Sequence, residues 1–149
     1  MTVYRLRASA INAVSLFLLL FPTACFADTT VSSDITTDTV WTTVGSPYIV
    51  TADITIQAGV TLTIQSGVTV KANSLRGLYV YGTIIATETN FTRSGTTGYW
   101  KGIYLSPASG SSSFTNCQFS YGGAYNGGAG IGNFNGSSRQ VMLYLDDCD

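Results

Sequence analysis

The feature that most constrains the fold is a short unit that occurs twice in succession. Residues 54–60 read Ile-Thr-Ile-Gln-Ala-Gly-Val and residues 62–68 read Leu-Thr-Ile-Gln-Ser-Gly-Val, so the second copy starts eight positions after the first. Alternation of Thr with a large aliphatic residue is typical of a half-buried β-strand, and each Gly marks a turn. Turns at this spacing leave no room for amphipathic helices, and the sequence predicts none after residue 27.

Longer intervals connect the rest of the chain. Gly-Leu-Tyr-Val at 77–80 resembles Gly-Ile-Tyr-Leu at 102–105, and Gly130–Ile131 follows after a similar interval. Residues 114–117 resemble residues 145–148 in the same way. Intervals of roughly 20 to 30 residues with strand-like content indicate a β-solenoid, in which stacked coils bury a shared core. The sequence therefore predicts an all-β fold, a right-handed parallel β-helix of about four coils that is open at its C-terminal end.

Composition excludes several function classes. The chain has 149 residues, 7 Lys and Arg against 8 Asp and Glu, and no His. The near-neutral charge argues against a nucleic-acid partner, which requires a basic surface. Without His there is no Ser-His-Asp or Cys-His catalysis and no His-ligated zinc site.

The N-terminus has the pattern of a secretory signal peptide. Arg5 and Arg7 precede an apolar run at 13–21, and small residues lead to a predicted cleavage after Ala27. The run is too short to span a bilayer, so no transmembrane segment is predicted. The alternative is a lipoprotein anchored at Cys25, although Pro22 stands where such motifs favour Leu. We expect a secreted or cell-surface protein.

Three regions are predicted along the chain. Residues 1–27 form the signal peptide, residues 28–46 an extended N-terminal lead-in or cap, and residues 47–149 the β-helix coils. The last coil breaks off inside its strand, and solenoids require capped ends. The sequence is therefore interpreted as an N-terminal fragment of a longer protein. The alternative is that a partner protein covers the open C-terminal coil.

Several stretches carry a resemblance to a known group. Residues 41–71 resemble the start of bacterial secreted right-handed parallel β-helix proteins, and residues 99–103 and 113–117 resemble their internal coils. These proteins belong to the pectin-lyase-like superfamily. The resemblance implies the fold, but the superfamily includes polysaccharide lyases, glycoside hydrolases, epimerases and adhesins, so it does not select a function.

Charged residues give no clear catalytic or metal site. The acidic residues are sparse, and only Asp146, Asp147 and Asp149 form a cluster. It is interpreted as turn structure, and the alternative is part of a metal or catalytic site. The isolated bases Arg76, Arg93 and Lys101 are interpreted as solvated surface. We predict no catalytic residue, no metal ligand and no cofactor.

Two cysteines and three tyrosines are the remaining candidates. Cys117 and Cys148 occupy equivalent places in adjacent coils, where they would form either a stack of buried thiols or a disulfide. Tyr79, Tyr81 and Tyr104 are expected to point outward, with Tyr79 and Tyr104 as neighbours. Such aromatics either stabilise the sheet or bind sugar rings or a protein surface.

Two functions follow from these observations. The first is a structural or adhesive module that binds glycan or protein through outer strands and loops, without catalysis. The alternative is the N-terminal part of a polysaccharide lyase or glycoside hydrolase whose catalytic coils lie beyond residue 149. The scarcity of carboxylates favours the first.

Overall fold

The part of the chain that the structure describes forms short β-strands with almost no helix. The computed structural model describes residues 27–106, 110–123, 131–133 and 143–146. One 3₁₀ turn, Thr43–Gly45, lies among the strands. The strands are β1 (Thr29–Val31), β2 (Thr39–Trp41), β3 (Tyr48–Val50), β4 (Ile54–Ile56), β5 (Thr61–Ile64), β6 (Thr69–Ala72), β7 (Gly77–Val80), β8 (Thr83–Thr87), β9 (Asn90–Arg93), β10 (Gly102–Leu105), β11 (Ser112–Thr115), β12 (Gln118–Phe119), β13 (Ile131–Asn133) and β14 (Leu143–Asp146).

These strands build three parallel sheets that the chain visits in rotation. Sheet A has the order β1-β3-β6-β9-β12, sheet B the order β4-β7-β10-β13, and sheet C the order β2-β5-β8-β11-β14. Every pairing between neighbouring strands is parallel. The predicted parallel β-solenoid is therefore confirmed. Within the described residues, no helix is long and apolar enough to cross a membrane.

The number of turns differs slightly from the prediction. About three turns, from β3 to β11, contribute a strand to each sheet, whereas the sequence predicted about four coils. Partial layers flank them: β1, β2 and a bridge from Ile35 to Ile56 on one side, and β12 to β14 on the other. The difference arises on the C-terminal side, because the fourth predicted coil, β12 to β14, forms only a partial layer within the described residues.

The strand register explains the sequence intervals. Gly77 pairs with Gly102 and Ile103 with Ile131, which reproduces the two intervals that separate the Gly-Leu-Tyr-Val copies. Pairing of Phe114 with Leu145 reproduces the interval between residues 114–117 and 145–148. The eight-residue copies do not stack on each other, because β4 lies in sheet B and β5 in sheet C. They are successive sides of one turn.

The core fills the space between the sheets. Along strands β3 to β11 alternate residues point inward, as the Thr–aliphatic alternation requires, and Leu62, Leu78 and Ile84 are among those fully buried. In the later turns Phe91 stacks on Phe119 with ring centroids 4.9 Å apart, and Phe114 meets both rings edge-on. Full burial of one such side chain contributes about 1.5–3 kcal/mol, so the stacked turns stabilise one another.

The corners between sheets use left-handed backbone. At the corner from sheet C to sheet A, Gly67, Glu88 and Asn116 occupy successive turns with φ of 80°, 45° and 51°. Gly and Asn adopt this conformation at low cost, so Asn116 is a turn residue of the predicted kind. Asp147, its predicted equivalent, lies outside the described residues, as does Asp149.

Candidate functional site

Two of the predicted tyrosines stack on the outer face of sheet B. Tyr79 in β7 pairs in register with Tyr104 in β10, and their ring centroids are 5.3 Å apart with planes 13° from parallel. Both side chains are half-buried. Each ring uses one face for the other ring, which is the arrangement of a stabilising cross-strand pair. Their role as ligand-facing residues stays a prediction.

Lys101 ties this stack to an earlier turn. Its Nζ lies 2.5 Å from Oδ2 of Asp53 and donates to the Tyr79 hydroxyl at 3.2 Å. The hydrogen bond to Asp53 raises the pKa of the Lys101 ammonium above its ordinary value, outweighing the burial that lowers it. The other Asp53 oxygen accepts the Gly77 N–H at 3.1 Å. Asp53, Lys101 and Tyr79 thus form a clamp, hereafter the lysine clamp.

Gly77 makes the lysine clamp possible. A Cβ at this position would lie 2.9 Å from Cβ of Lys101 and 2.8 Å from the carbonyl oxygen of Gly102. The missing side chain lets the lysine stem cross the intervening strand β7 to reach Asp53. The prediction that Lys101 is an isolated, solvated base is therefore wrong, because the three-turn stack brings it within reach of Asp53, 48 residues away.

More exposed side chains lie at the corner between sheets A and B. Leu75, Tyr99 and Tyr121 belong to loops on successive turns, and their exposed fractions are 51%, 59% and 50%. The Leu75 N–H donates to the Tyr99 carbonyl at 3.0 Å, and the Trp100 N–H donates to the Tyr121 carbonyl at 3.0 Å. These backbone bonds hold the three residues in adjacent layers. Together with Arg93 they form a surface that we call the aromatic edge.

Arg93 is fixed at the aromatic edge. Its guanidinium carbon lies 4.0 Å from the Tyr121 ring centroid, and its NH1 donates to the Gly98 carbonyl at 2.9 Å. Beneath this surface Trp100 is buried and donates through Nε1 to the Ser120 carbonyl at 2.8 Å. The buried indole anchors the loop from which Tyr99 projects. The edge therefore presents exposed side chains on a supported backbone.

Positive charge gathers on this side of the solenoid. The Lys and Arg residues that the structure describes all lie on the outer faces of sheets A and B or at their shared corner: Lys71, Arg76, Arg93 and Lys101. Of these, Lys101 is neutralised by Asp53. The other three form no ion pair with another described residue. The aromatic edge is thus locally basic, although the whole chain is nearly neutral.

Three of the described carboxylates, those of Asp34, Asp38 and Asp53, accept hydrogen bonds from backbone N–H groups. Asp34 and Asp38 accept the N–H groups of Thr55 and Thr61, each at 2.8 Å, and Glu88 accepts from the Ser66 hydroxyl. Within the described part of the chain, no group of three His, Cys, Asp or Glu residues is arranged to hold a metal ion. Asp146 ends β14 in register with Thr115.

Cys117 is buried at the sheet C to sheet A corner. Its Sγ lies 3.4 Å from the Thr115 carbonyl oxygen, and Thr89 makes the same bond to Thr87 at 3.0 Å one turn earlier. In these two turns the position holds a small residue whose side chain bonds to the carbonyl two positions before it. Cys148 lies outside the described residues, so the predicted thiol stack or disulfide stays a prediction.

A second surface with polar side chains lies at the same corner. Glu88, Asn90, Asn116 and Gln118 line a shallow groove, in which Asn90 and Gln118 pair in register. These amide and carboxylate groups can form hydrogen bonds with hydroxyl or peptide groups of a ligand. The residues that line the groove include no aromatic side chain, which makes it a weaker candidate than the aromatic edge.

Sequence reasoning missed the aromatic edge. Arg93 was interpreted as solvated surface, and Tyr99 was noted only as part of a family-like stretch. The available signal was that Tyr99 and Tyr121 both stand in glycine- and serine-rich loops, separated by about the length of one turn. Tyr81, which was predicted to face outward, is 41% exposed just beyond β7.

Comparison with protein-family models, curated proteins and solved structures finds no match to this chain. Its function is therefore argued from the fold and the surfaces described above.

Proposed function

We propose that this chain is a secreted or cell-surface β-solenoid module with a structural and adhesive role, binding glycan or protein through its outer loops. The observation that carries the proposal is the aromatic edge, where Tyr99, Tyr121 and Leu75 are each at least half exposed and Arg93 is held beside them. Exposed apolar clusters of this kind mark interaction sites, and Tyr and Arg supply much of the energy at such sites.

The arrangement of carboxylates supports binding without turnover. Asp34, Asp38 and Asp53 each accept a backbone N–H, and Asp53 also holds Lys101. Glycoside hydrolysis requires two carboxyl groups facing one bond, about 5–10 Å apart. These three carboxylates are instead committed to backbone N–H groups of three different strands. This favours an adhesive module over the alternative of a lyase or hydrolase, whose catalytic coils would lie beyond residue 149.

Location and family belong to the same proposal. The basic and apolar pattern of residues 1–27 supports export, which would place the aromatic edge outside the cell. The parallel three-sheet solenoid is consistent with the resemblance to bacterial pectin-lyase-like proteins. Because parallel crossovers are right-handed in nearly all sheets, we expect a right-handed coil.

A binding assay with a parallel turnover assay tests the proposal. The exported chain is immobilised and exposed to a panel of polysaccharides and extracellular matrix proteins, and the same mixtures are analysed for released reducing or unsaturated sugars, with and without Ca²⁺. We expect retention of at least one ligand, no product, and no dependence on Ca²⁺. Tyr99→Ala should weaken retention, whereas Tyr81→Ala, an exposed tyrosine elsewhere, should not. Product release would support the enzymatic alternative instead.

A further inference from the structure

The charge at the aromatic edge restricts the ligand. Arg76 adjoins Leu75 and is exposed, and Arg93 lies beside Tyr121. Neither forms an ion pair with another described residue, in contrast to Lys101. A ligand that carries negative charge would therefore gain favourable interactions with both guanidinium groups, and a basic ligand would be repelled.

The position of Arg93 prepares it to bind a carboxylate. One of its N–H donors is used by the Gly98 carbonyl, and the plane of the guanidinium is supported by the Tyr121 ring. Stacking of this kind limits the rotamers of a long side chain before the ligand arrives. The remaining donors can then bind both oxygens of one carboxylate, at little further cost in conformational entropy.

The shape and apolar content of the edge favour a protein ligand over a sugar. Sugar and other small-molecule sites are usually concave, whereas Leu75, Tyr99 and Tyr121 are each at least half exposed, on the loops at one corner of the solenoid. Arg93 covers one face of the Tyr121 ring, so a sugar ring cannot stack on that face. Leu75 is an aliphatic side chain with no hydrogen-bonding group. An apolar ridge with arginines beside it is typical of the centre of a protein interface.

We infer that the aromatic edge binds an acidic protein segment, in which Asp or Glu residues flank an apolar side chain. The apolar side chain would contact Leu75 and Tyr99, and the carboxylates would bind Arg93 and Arg76. This inference rests on the proposed adhesive function and names its ligand class.

Selection from a displayed library of random peptides tests the inference. The full chain is the target, and enriched peptides are synthesised and titrated by fluorescence anisotropy. We expect enriched sequences in which Asp or Glu flanks Leu, Phe, Tyr or Trp. Arg93→Gln and Tyr99→Ala should each raise Kd about tenfold, the loss of one charge-assisted or one aromatic contact. Binding should also weaken when ionic strength rises from about 0.1 M to 1 M.

The controls separate the outcomes. Tyr81→Ala should leave Kd unchanged, and Arg93→Lys should recover only part of the affinity because lysine cannot bind a carboxylate with two parallel bonds. Circular dichroism checks that each variant is folded, and Tyr99→Ala is informative even if Arg93 variants unfold. Selection of neutral or basic peptides would overturn the inference. Binding of a uronic-acid polysaccharide without any acidic peptide would overturn it but leave adhesion intact. Failure to bind any peptide, polysaccharide or matrix protein of the panel would overturn both proposals.

Discussion

Replacement of Lys101 by Met is expected to destabilise the solenoid by removing the lysine clamp. Lys101 reaches across β7 to Asp53 and to the Tyr79 hydroxyl, and so joins three successive turns. Met keeps most of the apolar stem that crosses Gly77 but removes the ammonium. The substitution therefore isolates the polar contribution of the clamp from the packing of its stem.

The size of the effect follows from the exposure of the pair. The Lys101 side chain is 15% exposed and that of Asp53 is 36% exposed, so solvent screens part of their attraction. Exposed ion pairs contribute about 0.2–1 kcal/mol, and a hydrogen bond such as that to Tyr79 contributes about 0.5–1.5 kcal/mol net. Because the clamp is partly exposed, we expect Lys101→Met to cost about 1 kcal/mol, near the lower end of the combined range. For a chain of this size, that corresponds to a fall in Tm of about 2–4 °C.

The loss of stability caused by Lys101→Met should become smaller at high pH. Because the pKa of Lys101 is raised in the folded state, the clamp contributes fully below the unfolded pKa of about 10.4. Its contribution is lost as pH rises through the folded pKa. The difference in stability between the original chain and Lys101→Met should therefore be constant near neutral pH and shrink above about pH 10.4.

Thermal and urea unfolding followed by circular dichroism measure this difference. Lys71→Met is the matched control, since Lys71 lies on the outer face of sheet A and forms no ion pair with another described residue. A double-mutant cycle with Asp53→Asn should give a coupling energy of about 0.5–1 kcal/mol. Equal effects of the two Lys→Met substitutions, or a difference that does not change at high pH, would refute the reasoning.

Three further substitutions, two of them with a control substitution, test the packing and the turns, each by the change in the free energy of unfolding. Phe114→Ala should cost about 3–5 kcal/mol, because it leaves a cavity at the fully buried centre of the phenylalanine cluster. Gly82→Ala should cost about 2–3 kcal/mol, because the added Cβ would clash with the Val60 carbonyl oxygen. In the control Gly59→Ala the added Cβ enters open space, so the substitution should cost only about 1 kcal/mol, from strain in the left-handed backbone. Asn116→Val should cost about 1–2 kcal/mol at φ 51° and Asn116→Gly should be nearly neutral, so equal effects of the two would contradict a left-handed turn.

The fold was largely predictable from local patterns. Alternation in residues 54–56 and 62–64 fixes which side chains face inward, because the side-chain period of a strand is two. The intervals between the copied segments match the observed register, since each turn places equivalent residues side by side. The role of residues 28–46 was less clear from sequence. Their Ser, Thr and Asp content conceals strands β1 and β2, whose pairing partners lie in the next turn of the chain.

The surface sites were harder to predict because they depend on which residues meet across turns. Lys101 and Asp53 are 48 residues apart, and nothing local in either segment indicates that they are partners. Leu75, Tyr99 and Tyr121 lie in loops of different length, so the repeat alone does not align them. The Tyr79 and Tyr104 pair was visible because both residues stand at the same place in a copied strand.

The parallel register of the strands brings residues as distant as Leu75 and Tyr121 to one edge of the solenoid. Engineered disulfides test it directly. Thr63 and Ile85 pair across β5 and β8, and adjacent strands lie about 4.8 Å apart, within the range for a disulfide. With the native cysteines replaced by Ser, Thr63→Cys with Ile85→Cys should form a disulfide in the folded chain on mild oxidation.

The matched control uses the same two strands out of register. In Thr61→Cys with Thr87→Cys, the two positions are offset along the strand by about 13 Å, beyond the reach of a disulfide. The account predicts rapid cross-linking of the first pair and none of the second, measured by intact mass after thiol labelling. Cross-linking of the offset pair, or failure of the in-register pair in a folded chain, would contradict the solenoid.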